Sequence, residues 1–187
     1  MTRRHIPKGA GARVAGLFKR FLPGLRKAEH EAADHTPHVP HRPGTTRPSR
    51  PHDPNARPRG TRTDPRKNKQ LQRENESADT MAQHGYDVEQ NPPGRPNGRN
   101  PDYKIEGEYF DNLAPTTGNV DQVRKGISKK VLDSNGNIQA DRILLNMDDS
   151  PLSLDDIKGV LTRKPVNGLK EIIVIKGGKA IPFFPFD

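Results

Sequence analysis

The sequence predicts an α/β (α+β) domain over residues 70–187, preceded by a disordered basic arm over residues 1–69. Two observations support this division. The first 70 residues carry a net charge of +12 and ten of the nineteen prolines, whereas the remainder of the chain carries −3. In that remainder, some segments repeat apolar residues at helical spacing and others resemble strands. A segment of about 115 residues is long enough for a modest hydrophobic core.

The arm is too rich in proline and charge to bury a core of its own. Residues 11–27, GARVAGLFKRFLPGLRK, carry apolar residues at helical spacing beside arginine and lysine, with one proline that would kink a helix. A short cationic amphipathic helix suits transient contact with an anionic membrane surface. A weakly structured basic tail fits the same pattern. Residues 35–69 are predicted to be an extended linker, whose arginines can touch RNA phosphates without specificity.

Composition excludes several classes of protein and site. The chain has no cysteine, which rules out disulfides, cysteine-zinc sites and cysteine nucleophiles. No apolar run approaches the roughly 18 residues of a membrane span. The basic N-terminus lacks a continuous apolar stretch and a small-residue cleavage site, so no Sec signal is recognisable.

The predicted domain begins with a helix from about residue 70. Leu71, Ala78, Met81 and Ala82 share one face of this helix, and Gly85 ends it. The elements that follow are a strand over 86–90, a loop over 91–101, and a hairpin whose strands cover 103–105 and 109–113.

The second half of the domain alternates helices and strands. A helix is predicted over 119–132, where four apolar residues recur at spacings of three and four. The segment RILLNM over 142–147 indicates a buried strand. Ser153 is placed to cap a helix over 154–161. Two final strands, over 169–175 and 180–184, are joined by the hairpin signal Lys-Gly-Gly-Lys.

Three acidic residues are candidate metal ligands. Asp102 starts one strand of the predicted hairpin and Asp111 ends the other, so the hairpin can bring them together. Glu76, on a helix packed against that sheet, can add a third carboxylate. Hard divalent cations prefer such oxygen clusters and can activate water beside a phosphodiester. Glu74 is the alternative to Glu76, because the two side chains face different sides of the helix.

The blocks RENESADTMAQHGYDVEQNP, NPDYKIEGEYFDNLAPTT and RKGISKKV…QADRILLNM occur in this order. Together they resemble the C-terminal tRNA nuclease domain of CdiA-type contact-dependent growth inhibition toxins, over about residues 70–150. The resemblance implies a variant of the PD-(D/E)xK nuclease fold, with a central mixed sheet flanked by helices. It also implies a metal-dependent endoribonuclease that cleaves tRNA, with Mg²⁺ as the expected cofactor and Mn²⁺ or Zn²⁺ as alternatives.

The resemblance assigns roles to the acidic residues. Glu76 would be the carboxylate of the first helix, and Asp102 and Asp111 would be the metal ligands of the core. The lysine of the motif would fall at Leu113, which can neither bind phosphate nor orient water. We expect Lys130 on the next helix to replace it; otherwise the activity is lost.

Further polar residues complete the predicted site. Gln139 is expected to position a water molecule or the RNA backbone, although a strand cap is the alternative role. Arg124, Lys129 and Arg142 are expected to contact RNA phosphates, and Lys129 is also the second choice for the missing lysine. An ordinary basic helix face would account equally for the basic residues of the 119–132 helix. His84 is expected only to end the first helix.

The resemblance also implies partners and a place of action. The family pairs such toxins with a dedicated immunity protein and delivers them to the cytoplasm of a target bacterium, so both are expected here. Without its immunity protein the chain is expected to be a monomer. Two alternatives remain: a DNA nuclease with the same fold, and a non-catalytic domain that binds nucleic acid or a partner. Convergence of Asp102, Asp111 and Lys130 in space would argue against the non-catalytic alternative.

Overall fold

A computed structural model describes residues 44–94, 98–132 and 136–186. Strands in these ranges form one sheet, in which each strand neighbours the next along the chain. The strands are β1 (Arg59–Gly60), β2 (Val88–Gln90), β3 (Tyr103–Ile105), β4 (Glu108–Leu113), β5 (Arg142–Asn146), β6 (Glu171–Lys176) and β7 (Lys179–Phe184). The helices are α1 (Lys69–Gln83), α2 (Val120–Val131) and α3 (Leu154–Arg163), and a short 3₁₀ turn covers Pro65–Lys67.

The sheet is mixed, as expected. Strands β4, β5 and β6 run parallel because α2 and α3 form the crossovers between them, whereas β2–β3–β4 and β6–β7 pair antiparallel. Side chains of β5 alternate between two apolar clusters: Ile143 packs with α2 and α3, and Leu144 packs with α1. Helices therefore cover both faces of the sheet, which explains why the central strands are continuously apolar.

The predicted helices and strands of residues 70–184 are confirmed, and their ends differ by one or two residues. Glu106 and Gly107 form the hairpin turn between β3 and β4, and both have positive φ angles. Ser153 caps α3 in a capping box with Asp156. His84 lies at the end of α1, as expected.

Packing begins earlier than residue 70, which corrects the predicted boundary. We call residues 44–63 the strap, because they run along α1 and β2 and bond to both. Within the strap, β1 pairs with β2, and Thr46 donates from its backbone nitrogen and its hydroxyl to the buried carboxylate of Glu171, at 2.9 and 2.7 Å. Composition did not reveal this segment, because hydrogen bonds rather than an apolar stripe attach it. The predicted membrane-surface helix at 11–27 lies outside the described residues.

Two glycines permit the close approach of the strap. Gly60 has a φ of +85°, and a Cβ there would lie 2.1 Å from the backbone oxygen of Gln90. Gly85 has a φ of +87°, and a Cβ there would lie 2.0 Å from the backbone oxygen of Arg50. Any larger residue would have to push the strap away, so glycine is required at both positions.

In the part of the chain that the structure describes, no helix combines the length and the apolar character needed to cross a membrane.

Candidate active site

Asp102 and Asp111 meet at one end of the β3–β4 hairpin. The pairing of Tyr103 with Phe110 places Asp102, which precedes β3, beside Asp111 on β4. The backbone nitrogen of Asp102 donates to Oδ1 of Asp111 at 3.3 Å, and the backbone nitrogen of Asn112 donates to Oδ2 of Asp102 at 2.7 Å. The predicted convergence of the two carboxylates is therefore confirmed.

Lys130 joins the two carboxylates from α2. Its Nζ lies 3.4 Å from Oδ2 of Asp102 and 3.5 Å from Oδ1 of Asp111. Ile127 and Val131 anchor the same end of α2 in the core, which holds the base of the lysine beside the sheet. Burial lowers the pKa of Lys130, but the charges of the two aspartates outweigh this effect and raise it. The ammonium therefore stays protonated at neutral pH.

Gln139 approaches Asp111 from the segment between α2 and β5. Its Nε2 donates to Oδ2 of Asp111, and its backbone nitrogen donates to the carbonyl of Val131 at 3.1 Å. An isolated bridge between Leu132 and Ile138 fixes this segment next to α2. Gln139 thus lies at the centre where it was predicted, and its amide holds the aspartate.

Asp111 carries the strongest electrostatic perturbation of the centre. Its side chain is fully buried, and burial together with the charge of Asp102 raises the pKa of its carboxyl to about 8. The nearby ammonium of Lys130 opposes this shift without cancelling it. At neutral pH the carboxyl of Asp111 therefore favours its protonated form, and a cation bound beside the two aspartates would favour the ionised form.

Glu74 takes the place that the sequence analysis gave first to Glu76. Glu74 is buried on the face of α1 that also carries Ala78 and Met81, whereas the side chain of Glu76 is 39% exposed and pairs with Arg73. The spacing explains the difference, since residues four and seven positions after Glu74 share its face. The assignment of Glu76 to the site is corrected to the alternative, Glu74.

Glu74 reaches the centre through a cleft of about 120 Å³. The cleft is lined by Gln70, Leu71, Glu74, Asp102, Asn112, Leu113, Ala114 and Lys130. Burial raises the pKa of Glu74, the charge of Asp102 adds to this effect, and a hydrogen bond from Thr63 opposes it. The cleft thus brings a third carboxylate near Asp102 and Lys130.

Thr63 and Asn112 were not predicted as site residues, and Thr63 in particular lies in a segment whose composition indicates a linker.

The donor set suits a hard divalent cation. Asp102, Asp111 and Glu74 offer carboxylate oxygens, and Oδ1 of Asn112 is buried without a hydrogen-bond partner among the described residues. Within those same residues, no three acidic, histidine or cysteine side chains stand together at metal-binding spacing. The residues therefore fit an open site on the two aspartates rather than a closed protein cage.

The three predicted phosphate contacts have different surroundings. Arg124 donates from Nε and Nη2 to two backbone carbonyls after α3, both at 2.9 Å. Arg142 is buried and lies 2.8 Å from the carboxylate of Glu171, so it stabilises the core and is not available to phosphate. The assignment of Arg142 is therefore corrected, whereas the contact of Arg124 with phosphate stays a prediction. Lys129 is exposed on α2 beside the centre, and its contact with phosphate stays a prediction.

Comparisons with known proteins identify similar chains. The family model described as the contact-dependent growth inhibition CdiA C-terminal domain matches residues 99–181. The sequence is 48% identical to the tRNA nuclease CdiA-2 of Burkholderia pseudomallei (strain 1026b) over 105 residues, which is 56% of this chain. The match spans only 3% of the length of that much longer relative. A solved CdiA-CT/CdiI toxin and immunity complex from Burkholderia pseudomallei aligns with a TM-score of 0.55 and 38% identity. That alignment covers 70% of this chain and 95% of the solved chain.

Proposed function

The chain belongs to the family of contact-dependent growth inhibition CdiA C-terminal domains, and from this premise we propose that it is a toxin endoribonuclease that cleaves tRNA. The observation that carries the proposal is the convergence of Asp102, Asp111 and Lys130 at one end of the β3–β4 hairpin. A buried acidic pair with a cation at its edge is suited to phosphodiester chemistry. The 48% identical relative is a tRNA nuclease, which supports tRNA as the substrate.

The residues of the centre divide the chemical tasks. Lys130 Nζ stays protonated and offsets the negative charge that develops on the phosphate oxygens in the transition state. Gln139 holds the buried carboxylate of Asp111 in place through its amide. Asp102 and Asp111 would hold a divalent cation, Mg²⁺ in the first instance with Mn²⁺ or Zn²⁺ as alternatives, and Glu74 would be the third carboxylate. When bound, such an ion polarises the phosphodiester and lowers the pKa of a coordinated water.

The surface beside the cleft supplies the attraction for RNA. Lys129, exposed on α2, and Lys125, one turn earlier on the same helix, add positive charge near the centre. Residues 1–70 carry a net charge of +12, which offsets the slightly acidic remainder of the chain. Both contributions weaken with salt, so binding of tRNA is expected to fall as ionic strength rises.

A partner and a place of action follow from the same family. The solved relative is a complex of a toxin with its immunity protein, so we expect a cognate immunity protein to bind this chain. Without that partner we expect a monomer. The expected place of action is the cytoplasm of a target bacterium, where cleaved tRNA would stop translation.

The proposal is tested with the full chain, total bacterial tRNA and, separately, duplex DNA. Each substrate is incubated with Mg²⁺ or with EDTA, beside the variants Asp111→Asn and Asp155→Asn. Asp155 is a matched control because it is an exposed aspartate in the first turn of α3 and does not line the cleft. We expect discrete tRNA fragments that disappear with EDTA and with Asp111→Asn and persist with Asp155→Asn.

The other outcomes separate the parts of the proposal. Cleavage of DNA alone would show that the substrate is DNA rather than tRNA and that the chain is a DNA nuclease. Cleavage that survives EDTA would remove the metal from the proposal and keep the nuclease. Absence of cleavage of either substrate by the folded chain would contradict the proposed activity.

A further inference from the structure

Thr63, at the end of the strap, donates its hydroxyl hydrogen bond to the carboxylate of Glu74. The same hydroxyl oxygen lies 2.8 Å from Nδ2 of Asn91 and 3.3 Å from Nε2 of Gln90. A hydroxyl has one hydrogen to donate and two lone pairs that accept. Because Asn91 donates to this oxygen and an ionised carboxylate can only accept, the single hydrogen of Thr63 is directed to Oε1 of Glu74.

The backbone of Thr63 is also fixed. Its nitrogen donates to Oδ1 of Asn75 at 3.2 Å, and its carbonyl accepts from Nδ2 of the same asparagine at 2.8 Å. Two residues earlier, the backbone of Thr61 donates to the carbonyl of Gln90 at 3.1 Å and accepts from Nδ2 of Asn91 at 2.7 Å. These bonds hold the Thr63 hydroxyl in one position. On one side the strap is bonded to α1, and on the other side it is bonded to β2 and to Asn91, the residue after β2.

The bonds at Glu74 leave one of its oxygens for the cleft. Among the described residues, Thr63 and Gln90 both contact Oε1 of Glu74, and Oε2 accepts no hydrogen bond from them. Glu74 lines the cleft with Asp102 and Lys130. A hydrogen bond that fixes one oxygen of a carboxylate also fixes the direction of the other oxygen. Without such a donor, a buried carboxylate would rotate or become protonated and lose its charge.

We infer that Thr63 is a positioning residue for the nuclease centre, which acts by orienting the Glu74 carboxylate toward the cleft. This inference rests on the proposed function, since it names a further residue of the same site. It also gives the strap a role beyond packing. A chain that lacks residues 44–63 would keep the aspartates and the lysine but lose the group that directs the third carboxylate.

The test compares variants of the full 187-residue chain, acting on bacterial tRNA under steady-state conditions. Thr63→Val keeps the shape of the side chain and removes the hydroxyl, whereas Thr63→Ser keeps the hydroxyl. Thr61→Val is the matched control, because the Thr61 side chain is exposed and the hydrogen bonds of Thr61 to Gln90 and Asn91 come from its backbone. We expect Thr63→Val to lower kcat about tenfold or more with KM within about twofold, since a hydrogen bond to a charged group is lost. Thr63→Ser and Thr61→Val should stay within about threefold of the unchanged chain in kcat.

A double-mutant cycle with Glu74→Gln distinguishes positioning from a structural role. If Thr63 acts through Glu74, adding Thr63→Val to Glu74→Gln lowers kcat no further than Glu74→Gln alone. Urea unfolding of each variant establishes that it is folded at the assay temperature. A second variant, Thr63→Ala, must also lower kcat while KM stays nearly unchanged.

Independent losses that multiply in the double variant would overturn the inference, as would an unchanged kcat for Thr63→Val or a loss that Thr63→Ser fails to rescue. Failure of the unchanged chain to cleave tRNA would contradict the proposed function itself. Cleavage with normal kinetics in Thr63→Val would overturn only the role of Thr63.

Discussion

Replacing Lys130 by methionine preserves the approximate length of the side chain and removes the ammonium between Asp102 and Asp111. At 3.4 and 3.5 Å, each ion pair has a Coulomb energy of about 5 kcal/mol at an effective dielectric constant of about 20. Desolvation offsets most of this energy, and removal of one partner from a buried pair costs about 3–5 kcal/mol. The Lys130 side chain is 33% exposed. After discounting for this exposure, we expect a loss of about 2 kcal/mol in the free energy of unfolding.

The same substitution should affect activity more than stability. Loss of the charge that faces the phosphate is expected to lower kcat by about 100-fold to 1,000-fold. Stability is measured by urea unfolding in EDTA, so that no added cation replaces the ammonium, and activity is measured by tRNA cleavage in Mg²⁺. Lys125→Met is the matched control for stability, because Lys125 is an exposed lysine on the same helix.

Two results would refute this reasoning. A Lys130→Met variant that keeps kcat within about tenfold of the unchanged chain would show that the ammonium is not part of the chemistry. A variant more stable than the unchanged chain would show that the aspartates do not need its charge in the folded state. In either case the convergence of these three side chains would have a different role.

Three other predictions test the site, the strap and the response to acid. Glu74→Gln should lower kcat about 100-fold while Glu76→Gln leaves it unchanged, and equal tRNA cleavage by the two variants would contradict the assignment of Glu74. Gly60→Ala should cost at least about 1–2 kcal/mol in urea unfolding, because its backbone is left-handed and a Cβ would meet the carbonyl of Gln90; an unchanged midpoint would show that the strap is not held there. Asp149 has a lowered pKa because of hydrogen bonds from an arginine and a lysine, so the stability that it contributes at neutral pH should be lost as pH falls below about 4. Asp149→Asn should then be less stable at pH 7 and show a weaker dependence on acid in urea titrations, and equal acid sensitivity of the two chains would contradict this assignment.

The elements of residues 70–184 could be predicted because their signals are local. Apolar residues at spacings of three and four marked α2, and the hairpin between β3 and β4 followed from two short strands around a glycine. That hairpin alone brings Asp102 beside Asp111, since antiparallel pairing is determined by the turn. The position of Lys130 opposite the two aspartates was harder to predict. The resemblance to CdiA-type toxin domains, rather than the spacing of residues, indicated it.

The choice between two carboxylates on α1 needed the packed structure. Glu74 and Glu76 are two positions apart on α1, which separates them by about 200° and places them on nearly opposite faces, so only one of them can face the sheet. The structure selects Glu74 because Ala78 and Met81 on its face enter the core beneath the sheet. The same kind of uncertainty affected Arg142, whose charge indicated a phosphate contact but which is buried against Glu171.

The sequence by itself determined the order of helices and strands, the pairing of the two aspartates and the absence of cysteine chemistry. These depend on neighbours within one element or one turn, where residue type and spacing limit the outcome. Only the tertiary structure decided that the strap is part of the domain and that Thr63 meets Glu74. Those contacts join separate elements, 11 residues apart for Thr63 and Glu74 and 125 apart for Thr46 and Glu171. They are hydrogen bonds between polar groups, which leave no periodic pattern in the sequence.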